Sequence, residues 1–455
     1  MQPQPERRRI HSTIVSYSNV VQPFGGLDNF LTQTRKIAAK KIADAAQLDS
    51  TMIRFSQGME AWRDAEVNPQ ILHTPQNAMA SLLQSHIAKL ASQKKNGLEQ
   101  FFLDIERKIL ECFAVKFSPQ DWPEWAASFF TWVPTILRPT RPPADPEPEA
   151  IGNSFAVGVL GDFGTGLYGA PVCAQSIVNN WNASPYQMLL HLGDIYYAAT
   201  LDEVLDRMQQ FWPLTPAINR ALIGNHEMYD AGISYFGPVL QNFKQKTSYF
   251  AMQNDHWLLV GLDTAYNQDQ EGLGGHVGVL DEDQIKWLRP IMASRGNRRV
   301  VLFTHHQPFS QAEDNNGGNL IRALSEFLKD HQIFAWYWGH EHRCLLYDKH
   351  PDHGFHGRCA GHAGFPDAPP DLSRAGDSDL GPKWKRYPGK KAKDGQDQDV
   401  NVPGASIYVA PNPYVPRFEN DFTPNGFVRL EFVDDHLIED VREPDNNSIY
   451  RRELA

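Results

Sequence analysis

The chain has 455 residues, enough for one large or two to three ordinary domains. Hydrophobic residues make up 41% and charged residues 21%, an ordinary balance for a soluble globular protein, and 43 basic against 54 acidic residues give a net charge of −11. That charge argues against a general nucleic-acid binder, whose footprint is basic, but leaves room for a phosphorylated substrate, because bound cations reverse the local field.

The amino terminus, MQPQPERRRIHS, is polar and basic, no apolar signal segment follows it, and no run approaches the ~20 apolar residues of a spanning helix. A cytoplasmic protein without a membrane span is therefore expected. Cys112, Cys173, Cys344 and Cys359 form no C-x-x-C pair; Cys344 and Cys359 could bridge, but free thiols are the expectation. Residues 1–25 read as irregular. From Asn29 to about Gln47, Phe30, Leu31, Ile37, Ala38 and Ile42 recur near helical spacing. Thr74 and Pro75 read as an N-cap and first helical residue, ahead of a stripe of Leu82, Leu83, His86, Ile87 and Leu90. Gly97 interrupts, and Leu98, Phe101, Phe102, Ile105 and Ile109 resume the stripe. An aromatic group, Trp122, Trp125, Phe129, Phe130 and Trp132, is expected to pack at an interface between domains. Residues 1–137 thus read as a mainly helical region, and 138–153, with its RPTRPPADPEPE, as a proline-rich extended linker.

At Phe155 the texture changes. FAVGVL, MLLHL, ALIG, WLLVGL, RVVLF and IFAWYW are short apolar runs bounded by Gly, Asp or His, with helical stretches at Val172–Trp181 and Leu201–Phe211. The alternation predicts β-α-β units around a buried sheet, an α/β fold. From Lys383 the chain turns basic and loop-like, and ASIYVA and GFVRLEFV read as closing strands. A catalytic domain over 154–440 and a tail over 441–455 follow from these limits.

Five segments carry the chemistry: Gly161-Asp162-Phe163-Gly164, Gly193-Asp194-Ile195-Tyr196-Tyr197, Gly224-Asn225-His226-Glu227, His305-His306 and Gly339-His340-Glu341-His342. Nearly all follow an apolar run, at the strand ends where open α/β sheets bind ligands. A glycine near most of them lets the backbone turn sharply. Each segment alone has a bland reading: a Gly-Asp turn, a hydrogen-bonded strand-end histidine, core tyrosines. Together, in this order, they supply the carboxylate, amide and imidazole donors that two adjacent cations need. Asp194, with two oxygens, suits a bridge, and His340 and His342 suit different metals. Such a pair clamps a phosphoryl group and lowers the pKa of bound water toward ~7, giving a hydroxide that attacks phosphorus. His276, in the glycine-rich stretch Gly272–Gly278, and His362, in Gly361-His362-Ala363-Gly364, are further candidates for contacting substrate.

These motifs resemble the calcineurin-like metallophosphoesterases, over roughly residues 154–365. Asp162-Phe163-Gly164, in place of the usual Asp-x-His, and Gly-Asp-x-x-Tyr ending at Tyr197 resemble the purple acid phosphatase branch. The resemblance implies a double-sheet sandwich flanked by helices, here with a mainly helical amino-terminal region. It implies one metal held by Asp162, Tyr197 and His342, Asp194 as the bridge, and a second metal held by Asn225, His340 and one of His305 or His306. His306-Gln307-Pro308 fits the family's His-x-Pro; the strand-end position favours His305, with the other histidine toward substrate. The tyrosinate implies Fe(III), with Fe(II), Zn(II) or Mn(II) beside it. His226 would contact the phosphoryl oxygen or protonate the leaving group, alongside Asp194 in catalysis. The expected activity is hydrolysis of a small phosphorylated substrate, a phosphate monoester as in acid phosphatases, or alternatively a nucleotide or phospholipid-type diester. A non-catalytic metal-bound interaction module is the contrasting reading.

Overall fold

The computed structural model describes residues 13–93, 113–114, 119–137, 139–142, 144–267, 277–312, 318–393 and 399–455. The chain divides into two compact units. One comprises Met1–Pro139, Ile195–Gln210 and His226–Ser234, and the other Thr140–Asp194, Phe211–Asn225 and Tyr235–Ala455.

The first unit is mainly helical, with helices Leu27–Ala38, Ala45–Ala65, Ala78–Gln93 and Trp122–Trp132. The single helix expected from Asn29 to Gln47 is two, because Asp44 accepts the Gln47 N–H at 2.6 Å and caps a new start. The helix expected at Thr74 begins at Ala78, where the Asn77 side chain accepts the Ala80 N–H at 3.2 Å. The stripe from Leu98 to Ile109 lies outside the described residues. Within this unit, Trp122, Trp125, Phe129 and Phe130 of the aromatic group are buried in its core. The Trp122 ring lies 4.7 Å from Phe30, and Phe129 and Phe130 lie 6.2 and 5.5 Å from Phe55. Buried aromatics of this size each contribute on the order of 1.5–3 kcal/mol. The Trp122 indole N–H, otherwise stranded, donates to Thr34 Oγ1 at 3.0 Å. Of the helix expected over Leu201–Phe211, Leu201–Glu203 is α-helical, closed by a Thr200–Glu203 capping box, and Val204–Gln209 is a π-helical turn.

The second unit is the expected α/β double-sheet sandwich. One sheet has ten strands, in spatial order Gly376–Asp377, Trp384–Tyr387, Ala405–Tyr408, Cys344–Lys349, His356–Ala360, Ile333–Trp338, Arg299–Thr304, Trp257–Gly261, Phe250–Gln253 and Glu149–Ala150. The other has six: Ser448–Glu453, His436–Arg442, Phe427–Val433, Ser154–Leu160, Met188–His191 and Ile218–Ala221. Val157, Val159 and Leu190 from the six-stranded sheet meet Leu259, Val301, Phe303 and Tyr337 from the ten-stranded sheet in one buried core. The opposite face of the larger sheet packs on Glu282–Ala293 and Gly318–Ala323 through Leu288, Ile291 and Leu320. Ser154–Leu160, Met188–His191 and Ile218–Ala221 run parallel, as do Trp257–Gly261, Arg299–Thr304 and Ile333–Trp338. Each trio therefore ends on one edge of its sheet, and the ligand motifs follow those ends.

Three features differ from expectation or refine it. The basic stretch from Lys383 is not a loop: Trp384–Tyr387 pairs with Ala405–Tyr408, and Lys390–Lys393 forms a hairpin with Asp399–Val402. Lys383, Lys391 and Lys393 are exposed, while Trp384 and Tyr387 are buried. Where a tail was expected, Ser448–Glu453 pairs with His436–Arg442 as an edge strand. The proline-rich stretch is pinned along this unit: Tyr249 Oη and Trp287 Nε1 donate to the Ala144 and Pro146 carbonyls at 2.7 and 3.0 Å. Cys173, Cys344 and Cys359 are buried free thiols. Among the described residues no helix is long and apolar enough to cross a membrane.

One ion pair ties the two sheets through their shared core. Arg358, in His356–Ala360, donates to both carboxylate oxygens of Glu439, in His436–Arg442, at 2.9 and 2.8 Å, and Tyr337 Oη donates to the same carboxylate at 2.8 Å. Both charges are buried, so removing one strands the other. Glu439→Ala is expected to destabilise the protein by about 3–5 kcal/mol in denaturant titration. The double variant Arg358→Met/Glu439→Leu should recover most of that loss. A single variant as stable as the parent protein would show that the pair is dispensable.

Candidate metal centre

The ligand motifs begin where apolar strands stop, and the backbone there is unusual. Asp162, Asp194, His340 and His342 all have positive φ, at 55°, 74°, 70° and 49°. Left-handed backbone disfavours residues with a Cβ, and strain of this kind gathers at functional sites. Here each residue redirects its side chain back over a strand end. The Asp162 Oδ2 accepts the His340 N–H at 2.9 Å. The space around that oxygen is closed: a Cβ at Gly339 or Gly361 would lie 2.7 or 2.6 Å from it. Gly193, at φ 106°, likewise leaves room for His305, whose Nδ1 would be 2.7 Å from a Cβ there.

Seven expected ligands converge in the second unit. Asp162, Asp194 and His342 form one group of donor atoms, and His305, His306 and His340 another, each within 4.8 Å. His305 Nε2 lies 3.4 Å from Asp194 Oδ1, joining the two groups. His342 Nε2 is 3.5 Å from Asp162 Oδ1. The tightest cluster is a triangle of His305 Nε2, Asn225 Oδ1 and His340 Nδ1, with edges of 3.0, 2.9 and 3.2 Å.

The protons in that triangle can be counted. His305 Nδ1 lies 2.9 Å from the Leu192 carbonyl, which only accepts, so Nδ1 carries the hydrogen. Burial pushes the His305 imidazole down to about 3, so it is neutral and Nε2 presents a lone pair. Asn225 Oδ1 also only accepts. With the Asn225 amide in this orientation, His340 Nδ1 brings at most one hydrogen to two acceptors, so within the triangle one lone pair faces another. A cation resolves this: donors held by one ion at about 2.0–2.2 Å lie about 3 Å from one another. The donor set, carboxylates, an amide oxygen and imidazoles, suits a divalent or trivalent transition metal. A ligand imidazole held by a backbone carbonyl at its other nitrogen is a common support for such ions.

His305 and His306 have different hydrogen-bond partners. His305 Nε2 enters the triangle, whereas His306 Nδ1 is bonded to Thr264 Oγ1 at 2.9 Å and its own N–H to the same oxygen at 3.2 Å. A Cβ at Gly278 would lie 2.8 Å from the His306 Cβ, so the end of the glycine-rich stretch packs on His306. His276 itself lies outside the described residues. His362 is fully buried, its ring against Gly426, and burial pushes it down to about 3.

Tyr197 and His226 belong to the first unit. Tyr197 Oη accepts the Val15 N–H at 3.0 Å, and the Arg207 guanidinium lies 4.7 Å above its ring. Burial pushes the phenol up to about 12 against the opposing pull of Arg207. His226 sits between Tyr196 and Tyr229, at 4.6 and 4.7 Å, with Nδ1 bonded to the Tyr197 carbonyl. Sequence reasoning assigned no role to Thr264 or to the Leu192 carbonyl. A threonine or a backbone carbonyl carries no motif, and only the fold brings them to the histidines.

Residues 155–344 match the family model of the calcineurin-like phosphoesterases, so the chain contains a domain of that kind. Among solved structures, it is similar to a purple acid phosphatase from yellow lupin (Lupinus luteus) seeds, with 14% identity, 68% of this chain and 55% of that one covered, and a TM-score of 0.44. The match thus spans little more than half of the lupin protein. A dimetal phosphatase from Danio rerio matches at 14% identity over 66% of this chain and 98% of that one, with a TM-score of 0.40. GAP50, the anchor in the inner membrane complex of Plasmodium, matches at 10% identity over 66% and 88%, with a TM-score of 0.42. No curated protein sequence matches the chain.

Because Gly361 leaves no room for a Cβ beside the Asp162 carboxylate, Gly361→Ala is expected to displace that side chain. Metal retained after dialysis should fall well below the parent protein's, while far-UV circular dichroism is unchanged. Full metal retention in the variant would show that the close approach is not needed.

Proposed function

We propose that this chain, which contains a calcineurin-like phosphoesterase domain, is a dinuclear-metal hydrolase of phosphate monoesters with acid-phosphatase-like chemistry. The observation that supports it most directly is the triangle of His305 Nε2, Asn225 Oδ1 and His340 Nδ1, three donor atoms within 3.2 Å that lack the hydrogens to satisfy one another. In this reading Asn225, His340 and His305 would hold one cation, Asp162 and His342 would hold the other, and Asp194 would serve both. Two bound cations supply a clamp for the phosphoryl group and an activated water at neutral pH.

The chain's own residues then orient and protonate. The Leu192 carbonyl fixes the His305 tautomer, and Thr264 holds His306 where it can meet substrate. His226 is proposed as the proton donor to the leaving alkoxide. The Tyr197 carbonyl only accepts, so His226 Nδ1 carries a hydrogen toward it, and Nε2 is the ring nitrogen proposed to transfer the proton. Tyr197 is proposed as the phenolate ligand of an Fe(III) ion, with Fe(II), Zn(II) or Mn(II) as the second metal.

Metal analysis and substrate profiling on one sample test this reading. Two metal equivalents and a higher kcat/KM on p-nitrophenyl phosphate than on bis-p-nitrophenyl phosphate are expected; the reverse preference would favour the diesterase. Asp194→Asn is expected to lower the rate about a hundredfold or more, the scale of several kcal/mol of charge stabilisation. Unchanged rates would sink the dinuclear mechanism. A visible absorption band lost in Tyr197→Phe supports the ferric tyrosinate, whereas iron-free, colourless protein active with Mn(II) or Zn(II) excludes it.

A further inference from the structure

The residue between the two histidines of Gly339-His340-Glu341-His342 has no part in the chemistry above. Its side chain is nonetheless buried, 1% exposed, and engaged at both oxygens. Glu341 Oε1 accepts from Ser310 Oγ, and Oε2 accepts from Trp338 Nε1 at 2.8 Å. Ser310 closes the segment that carries His305 and His306, and Trp338 ends the strand Ile333–Trp338. The two donors are themselves fixed. Ser310 Oγ accepts the Ala312 N–H at 3.0 Å, and the Trp338 indole packs on Phe309 at 5.5 Å and Tyr347 at 5.4 Å.

The turn that Glu341 occupies needs such support. His340 and His342 flank it with φ of 70° and 49°. Each such residue costs on the order of 1–3 kcal/mol unless its surroundings impose the conformation. Three backbone N–H groups of the turn are held: Gly339 by His305 O at 3.0 Å, Glu341 by Gly339 O at 2.8 Å and His340 by Asp162 Oδ2 at 2.9 Å. None of these restrains the chain beyond Glu341, where His342 begins.

We infer that Glu341 is a positioning residue for the metal ligands: its carboxylate, clamped by Ser310 and Trp338, holds the turn in the left-handed backbone that places His340 and His342 on their two groups. It thereby couples the His305–His306 segment to the His340–His342 turn. This inference rests on the metal-dependent reading proposed above.

The test is titration of metal-depleted protein with Zn(II), alongside thermal unfolding and steady-state kinetics. Glu341→Ala is expected to weaken Zn(II) binding about 10–100-fold, the usual scale for groups that orient metal ligands. With p-nitrophenyl phosphate, kcat should return toward the parent value at saturating Zn(II). Glu341→Gln should recover most of the affinity, because its amide oxygen can accept from Trp338 and its N–H can donate to Ser310. A glutamine as damaging as alanine would mean that charge, not positioning, is at work, and would overturn the inference. So would lower melting temperatures with unchanged Zn(II) affinity. Should Glu341→Ala not fold, Trp338→Phe decides: it removes one donor while keeping an aromatic ring, and a several-fold weaker Zn(II) affinity is expected. Parent protein that binds no Zn(II) or other metal overturns the underlying reading as well; parent protein that binds it as tightly as Glu341→Ala overturns this inference alone.

Discussion

The carboxylate of Asp162 is the point on which the second unit's architecture turns. It follows the strand Ser154–Leu160 of the six-stranded sheet, yet its Oδ2 accepts from His340, beyond the strand Ile333–Trp338 of the ten-stranded sheet. Gly339 and Gly361 come so close that neither tolerates a Cβ. Strand ends from both sheets therefore converge on one oxygen. That convergence is possible only because the sandwich core behind it holds the sheets in fixed register, and because the residues at the strand ends accept left-handed backbone. Burying a carboxylate there without partners would cost several kcal/mol, so the hydrogen bond from His340 and the histidines around it are needed for the fold itself.

The Arg358–Glu439 pair is the counterpart within the core. It too joins the two sheets, but with both charges neutralised and Tyr337 completing the carboxylate's hydrogen bonds. The contrast separates structure from chemistry. Around Glu439 every strong acceptor has a donor, as expected of a buried network that specifies packing. Within the triangle of Asn225 Oδ1, His305 Nε2 and His340 Nδ1, two acceptors share at most one hydrogen. A folded protein keeps such an imbalance only where something else completes it, and binding that something stabilises the native state by mass action.

Much of this was legible in the sequence. The apolar runs ahead of Asp162, Asp194, His305 and His340 marked strands, because a strand buried on both faces needs an unbroken apolar run and a polar residue marks its end; of the run ALIG ahead of Asn225, only Ala221 lies in a strand, Ile218–Ala221. Other parts were hidden for physical reasons. Lys383–Lys393 reads as a solvated loop because its lysines dominate, although Trp384 and Tyr387 anchor a strand. The break between Leu27–Ala38 and Ala45–Ala65 depends on one capping carboxylate, Asp44, within a sequence that is apolar at helical spacing on both sides. The pair His305-His306 is symmetric in sequence, and only the Leu192 carbonyl and Thr264 Oγ1, both distant along the chain, tell the two rings apart.

Glu341 shows why a motif's spacing carries less than its geometry. In sequence it separates two histidines and is interchangeable with any residue that fits a turn. It lies 31 positions from Ser310 in sequence, and their contact adds a side-chain link between two ligand-bearing segments whose strands pair in parallel and whose ends share the Gly339 N–H to His305 O bond at 3.0 Å. The strained backbone on either side explains the arrangement. Left-handed residues relax unless held, and hydrogen bonds to a buried carboxylate are stronger than neutral ones, about 1.5–3 kcal/mol each. Two such bonds are of the same size as the strain of two left-handed histidines, about 2–6 kcal/mol. The turn is thus held by forces of the magnitude needed to oppose its relaxation.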